Sequence, residues 1–224
     1  MFLSIASLRI EIMPVTMLRQ NCMMVWDQNI KKGIISDPGG DLSFVIETIE
    51  ADDVDIQAIL LTHGHFDHVG VTTALQQYLQ EKYKREIPIL GPGIEDQFLL
   101  EKVAKDAASF GTSAEHVQNV NPTRFLKDQE ILSFEGMEFE VLHVPGHTPG
   151  HVVFYEAKAR FMITGDVLFK GTIGRADFPY GNGKLLIQTI KDKLLPLGDD
   201  VYVLPGHGIG STIGYEKLNN PFLI

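Results

Sequence analysis

The chain has 224 residues, 44% of them hydrophobic, which is enough to bury a substantial core in one domain spanning residues 1–224. A formal charge of −10 and a pI near 5.2, with no basic cluster to offset the acids, exclude a general affinity for nucleic acid or for an anionic membrane. The single cysteine, Cys22, excludes an internal disulfide and a thiolate zinc site and fits a cytoplasmic setting; the opening "MFLSIASLR" lacks the basic start of a signal peptide, and no apolar run reaches the roughly twenty residues of a membrane span.

In chain order, "LRIEIMPVTML" and "NCMMVWDQ" read as strands, and "KKGIISDPGGD" as a third that ends in a Pro-Gly turn. Three in succession predict a meander. The spacing from Asp41 to about Ala51 is helical, "DIQAILLTH" is a buried strand, and "HVGVTTALQQYLQEKYK" a helix. Next come the strand "IPILG", a helix from Ile94 to Phe110, short strands near Phe125 and Ile131, and the strands "MEFEVLHVPG", "GHVVFYEA" and "RFMITGD". The helix "GKLLIQTIKDKLLPL" and the strand "VYVLPGHG" follow. Two groups of strands interleaved with helices predict an α/β protein with two sheets flanked by helices.

Three of the eight histidines fall in "LLTHGHFDHVG", residues 60–70, where a buried strand ends. His147 in "VPGHTPGH", Asp166 in "MITGDVLF" and His207 in "VLPGHG" also follow strand-like runs and sit in Gly-rich turns. Strand ends converging along one edge would let these side chains ring one cavity. Imidazole and carboxylate together suit zinc, with iron and manganese as further fits. His63 and His65, one residue apart, can face one ion with His147. Asp67 and His68 turn toward a second, which His207 completes, and Asp166 is suited to bridge the two. Seven ligands for two divalent transition-metal ions leave open positions for a shared water, whose pKa falls from about 15.7 toward neutrality so that a metal-bridging hydroxide can attack. Asp67 and Asp166 are assigned to catalysis. A thiol of pKa about 8.5 leaves as thiolate without a proton donor, whereas an amide nitrogen needs one; the absence of a free general acid among the seven favours a small thioester as substrate.

"THGHFDH" with the later His, Asp and His in order resembles the metallo-β-lactamase superfamily, and "DPGGD", "GHTPGH", "GDVLF", "GRADFP" and "PGHG" resemble its glyoxalase II-like branch, over Ile10 to the last residue. The resemblance implies a four-layer αβ/βα sandwich, a dinuclear site and hydrolysis of a glutathione thioester such as S-lactoylglutathione. Two-domain glyoxalase II enzymes carry a helical glutathione-binding domain after the last metal histidine. Here the sequence ends seventeen residues past His207, with Ile209 where those enzymes have an aromatic residue, so the expected form is the short, single-domain bacterial one. A related branch, the persulfide dioxygenases, uses one iron held by two histidines and an aspartate and shares the "GR-x-DF" element. A metal-bound module without turnover is a third reading, and a β-lactamase a fourth.

The loop "FKGTIGRADFPYGNG", residues 169–183, follows Asp166 closely enough to border the cavity. Arg175 either pairs with a substrate carboxylate, as a basic residue does at this place in the glyoxalase II family, or salt-bridges Asp177 and orders the loop. His151 is either a hydrogen-bond partner that orients a ligand or part of the strand turn. His143 reads as structural, His116 as solvated, and Cys22 as a small buried hydrophobe.

Overall fold

The structure is a computed structural model that describes residues 2–5, 7–111 and 115–224. The first sheet has β1 (Phe2–Ile5), β2 (Leu8–Val15), β3 (Gln20–Asp27), β4 (Lys32–Ser36), β5 (Asp55–Leu60) and β6 (Ile89–Leu90), adjacent in that order. β2, β3 and β4 form the expected antiparallel meander, β1 adds an antiparallel strand at its edge that the sequence reading did not anticipate, and β4, β5 and β6 run parallel. The later strands are β7 (Ile131–Phe134), β8 (Met137–His143), β9 (Val152–Glu156), β10 (Phe161–Gly165), the two-stranded ribbon β11 (Leu168–Phe169) and β12 (Thr172–Ile173), then β13 (Tyr202–Pro205) and β14 (Ser211–Thr212). The second sheet takes the order β14-β13-β10-β9-β8-β7, antiparallel except for the parallel pair β10 and β13.

Period-two alternation divides each strand between two cores. Met23, Val25, Ile34, Ala58 and Leu60 from the first sheet face Phe139, Val141, Phe154, Phe161 and Ile163 from the second. The alternate residues Cys22, Met24, Trp26, Ile35 and Ile59 face outward against the helices α1 (Leu42–Asp52), through Val45 and Ile49, and α3 (Thr72–Tyr83), through Leu75 and Leu79. On the far side Leu142, Val153, Met162 and Val203 pack on α6 (Gly183–Thr189) and the π turn after it, through Leu186, Ile190 and Leu194. The layers are helix, sheet, sheet, helix.

The helix expected from Ile94 to Phe110 is broken into a 3-10 turn (Ile94–Asp96), α4 (Gln97–Leu100) and α5 (Val103–Ser109). Residues 119 and 120 intrude on its ladder: Val120 N–H donates to Leu100 O, Asn119 Nδ2 to Glu101 O, and Ala104 N–H turns to Asn119 Oδ1. The helix expected over 68–84 also splits, into α2 (Phe66–Val69) and α3, where the Gly39 carbonyl approaches so closely that a Cβ on Gly70 would lie 2.5 Å from it. The strand expected near Phe125 is only a bridge between Arg124 and Leu90. α7 (Ile213–Asn219), capped by Thr212 Oγ1, was not legible in the hydrophobic pattern. Among the described residues no helix is long and apolar enough to cross a membrane.

Candidate metal centre

The parallel pairs β4/β5 and β10/β13 end at one edge, where the chain leaves the sheets in tight turns. His63 and His65 follow β5, and Asp67 and His68 lie on α2. His147 stands in the turn between β8 and β9, Asp166 directly after β10, and His207 one residue beyond β13, after Gly206. Main-chain bonds join the two sheets here: Val152 N–H donates to Thr62 O at 2.8 Å and Asn21 N–H to Gly206 O at 2.7 Å. Gly206 has to be glycine for the last turn to pass the site, since a Cβ there would lie 2.4 Å from Asp166 Oδ1 and 2.6 Å from His68 Cε1.

All seven residues singled out in the sequence come together. His65 Nδ1 lies 3.1 Å from His63 Nε2 and 3.0 Å from His147 Nε2, so three nitrogens from two sheets meet at one point. His207 Nε2 is 3.3 Å from Asp67 Oδ2, and His68 Nε2 is 4.0 Å from the same oxygen. Asp166 lies between the two groups, with Oδ1 3.3 Å from His68 Nε2 and Oδ2 3.6 Å from His147 Nε2 and 3.8 Å from His207 Nε2. The ligand atoms within each of the sets His63/His65/His147 and Asp67/His68/His207 lie within 4.8 Å of one another.

The groups behind the histidines decide which nitrogen faces inward. Asp37 Oδ2 accepts from His68 Nδ1 at 2.9 Å, the Arg175 carbonyl from His147 Nδ1 at 2.7 Å, and the Leu18 carbonyl from His207 Nδ1 at 3.2 Å. Thr62 Oγ1 donates its own hydrogen to Asp37 Oδ2 at 2.6 Å, so its oxygen is left to accept from His63 Nδ1 at 3.1 Å. Each of these acceptors takes the Nδ1 proton and so turns Nε2 into the site. Lone pairs facing carboxylate oxygens repel unless a cation lies between them. Among the described residues His68 Nε2 and Asp166 Oδ1 are buried with no hydrogen-bond partner, which is the same demand seen at two atoms. The donor set therefore fits divalent metal ions of the borderline class.

Electrostatics agree. Burial lowers the pKa of His63 and His147 and pushes His65 down to about 3, keeping these imidazoles neutral and able to donate a lone pair. At Asp166 burial favours the neutral acid, but His68, foremost among the neighbouring histidines, holds the carboxylate ionised, well below its usual range. Burial likewise opposes charge on His68, and the surrounding carboxylates Asp166, Asp37 and Asp67 overcome it and raise its pKa, so the pocket favours positive charge.

Residues 15–207 match the metallo-beta-lactamase superfamily, an interval that ends on the last of the seven donors. The chain belongs to that superfamily. It is similar to "Hydroxyacylglutathione hydrolase GloC" of Haemophilus influenzae, 45% identical over 217 residues that cover 96% of this chain and 98% of the relative. Among solved structures it resembles the "BLEG-1 B3 metallo-beta-lactamase" at TM-score 0.85 and 33% identity, covering 96% of this chain and 99% of that one. It also resembles "TTHA1623 in a di-iron-bound form" at TM-score 0.80 and 33% identity, covering 95% and 100%. The superfamily is one of metallo-hydrolases, and the two mixed sheets between helices are its fold.

Several contributors to the metallo-beta-lactamase site were not singled out in the sequence. Asp37 opens "DPGGD" directly after β4 and accepts three hydrogen bonds; an acid at a strand end was the available signal. Tyr180, in the 169–183 loop, places its hydroxyl 2.9 Å from His65 Nε2 and stacks on Phe178 with ring centroids 5.3 Å apart. Burial pushes the Tyr180 pKa up to about 12. His151 Nε2 accepts from Asp166 N–H at 3.1 Å and its ring stacks on His63, so of its two readings the structure shows the orienting one. The Arg175 side chain, 65% exposed, salt-bridges Asp177 at 2.8 Å and lies over the Phe178 ring, while its carbonyl is the group that orients His147. His143 bonds the Pro149 carbonyl, His116 is exposed, and Cys22 is buried with its thiol pKa raised by burial. A groove of about 740 Å³ reaches α2 at Phe66, with a lining that includes Met17, Leu42, Phe44 and Val71 and none of the seven donors.

Proposed function

We propose that the protein is a cytoplasmic hydrolase of small thioesters, S-lactoylglutathione foremost, that works with two divalent transition-metal ions, zinc by preference. The observation that carries the metal chemistry is the pair of inward-facing donor sets, His63/His65/His147 and Asp67/His68/His207, with Asp166 in reach of both. The substrate class is supported by 45% identity, over nearly the full length of both chains, to a protein named hydroxyacylglutathione hydrolase.

Such a pair of ions, when bound, lowers the pKa of a shared water toward neutrality and polarises a carbonyl oxygen. The chain supplies the rest. Asp67 and Asp166, both ionised, accept hydrogen bonds from a water between the two sets and aim it at the thioester carbonyl. A thiolate then leaves without a proton donor, which suits a site whose nearby hydroxyl, Tyr180, burial makes too weak an acid to protonate a leaving group. Phe178 and Tyr180 shield the His65 side from water, and the groove along Met17 and Phe44 offers apolar surface to the substrate's carbon chain. Arg175 is the proposed contact for a substrate carboxylate, which would take the place of Asp177 on its exposed guanidinium.

Protein purified without chelator is expected to contain between one and two equivalents of transition metal by elemental analysis. Protein that holds none and regains none on reconstitution would overturn the metal reading.

A second reading, an iron-dependent persulfide dioxygenase, draws on another cluster, since His63, His68 and Asp166 also lie within 4.8 Å of one another. The two are separated by oxygen. Cleavage of S-lactoylglutathione is expected to proceed at the same rate in nitrogen as in air, because attack by water consumes no oxidant. Oxygen uptake with glutathione persulfide, in protein that leaves the thioester intact, would replace the hydrolase with the dioxygenase.

A further inference from the structure

Asp96 ends the 3-10 turn before α4, is fully buried, and belongs to neither donor set. Its Oδ2 accepts from Gly64 N–H at 3.0 Å and from Thr148 Oγ1 at 2.7 Å, and its Oδ1 from Gly150 N–H at 2.6 Å. Gly64 lies between His63 and His65 in the loop that leaves the first sheet. Thr148 follows His147, and Gly150 precedes His151, in a turn of the second sheet. One carboxylate thus grips both loops that deliver the three-nitrogen set. The contact is built at close range: a Cβ on Gly150 would lie 2.6 Å from Asp96 N and 2.9 Å from Asp96 Cβ, and Gly93 N–H donates to Gly150 O at 2.8 Å.

We propose that Asp96 is a positioning residue that holds the His63–His65 loop in register with the His147 turn, and so sets the affinity of the three-nitrogen set for its ion. The inference rests on the metal reading above and does not depend on the substrate. The nitrogens meet across two sheets whose loops have no covalent link near the site, so their separation is only as well defined as the bonds between the loops. Those bonds converge on a carboxylate that forms no ion pair among the described residues; burial pushes its pKa up to about 6, against the pull of Thr148, Gly150 and Gly64. Asp67, His68 and His207 depend on different supports, Asp37 and the Leu18 carbonyl. Loss of Asp96 should therefore weaken one set and spare the other.

The test is Asp96→Asn in the full chain. An amide keeps one acceptor oxygen but turns an N–H₂ toward Gly64 and Thr148 or toward Gly150. Zinc affinities are read by competition with a chromophoric chelator, and cobalt(II) substitution reports each site by its ligand-field spectrum. Wild type should bind two ions. Asp96→Asn should lose at least about tenfold in affinity at one of them, with a changed cobalt band there, and less than about twofold at the other. Thr148→Val, which removes one donor and keeps the shape, should weaken the same ion by a smaller factor and serves if Asp96→Asn does not fold. A parallel fall at both ions would reduce Asp96 to a general structural role and overturn the proposal, as would unchanged affinities in both variants. Wild type that binds no ion would instead sink the metal reading itself, and the proposal with it.

Discussion

Asp166→Ala is expected to lower kcat by at least about a thousandfold, some 4 kcal/mol of barrier, while His151→Ala costs about 10–100-fold. Asp166 reaches both donor sets, with Oδ1 at His68 and Oδ2 near His147 and His207, and an alanine removes the one carboxylate the two sets share, leaving Asp67 beside His68 and His207 alone. His151 acts one step further out. It holds the Asp166 backbone N–H and stacks on His63, so its loss loosens two ligands without removing a donor. Steady-state kinetics on S-lactoylglutathione, with ion content of each preparation measured and matched, check the ranking. Equal losses at equal ion content would remove Asp166 from its place between the two sets.

The second large effect is expected at Asp37, which touches no substrate. Its carboxylate accepts from Thr62 N–H at 2.8 Å, from Thr62 Oγ1 at 2.6 Å and from His68 Nδ1 at 2.9 Å, all in buried surroundings. Asp37→Ala strands these donors, at about 1–3 kcal/mol for each that finds no new partner, and the melting temperature should fall by several degrees. It also frees His68 to place its proton on Nε2, where a ligand lone pair is needed, so affinity of the Asp67/His68/His207 set should drop about 10–100-fold. Calorimetry and a zinc competition titration read the two effects separately. Asp37→Asn should restore much of the stability and only part of the affinity, because an amide oxygen accepts as a carboxylate does but carries no charge to polarise the imidazole. An alanine variant that melts and binds zinc like wild type would show that the tautomer is set elsewhere. Unlike Asp96, this residue bonds a member of the second donor set directly, and it reaches His63 of the first only through Thr62.

The contrast between His68 and the groups behind it shows where legibility ended. His63, His65, Asp67, His68, His147, Asp166 and His207 were readable because each is a donor type placed where an apolar strand-like run stops, and short-range pattern is enough to see that. The sheet faces were readable for the same reason. Alternation along "NCMMVWD" and "VVFYE" dictates which residues can meet across the two sheets before the partner is known. The break at Glu101 was not readable, because Asn119 and Val120, which capture the helix carbonyls, stand eighteen and nineteen residues away. Nor were the supports of the site. The Leu18 carbonyl that orients His207 is 189 positions from it, and any residue type presents the same carbonyl, so no side-chain pattern marks it. The same holds for the Arg175 carbonyl at His147, which is why the arginine drew notice for its guanidinium. Residue types and their periodicity, carried in the sequence, determined the layers and the donors. The protonation of those donors, and which loop is braced against which, was decided by hydrogen bonds that exist only once the two sheets have packed.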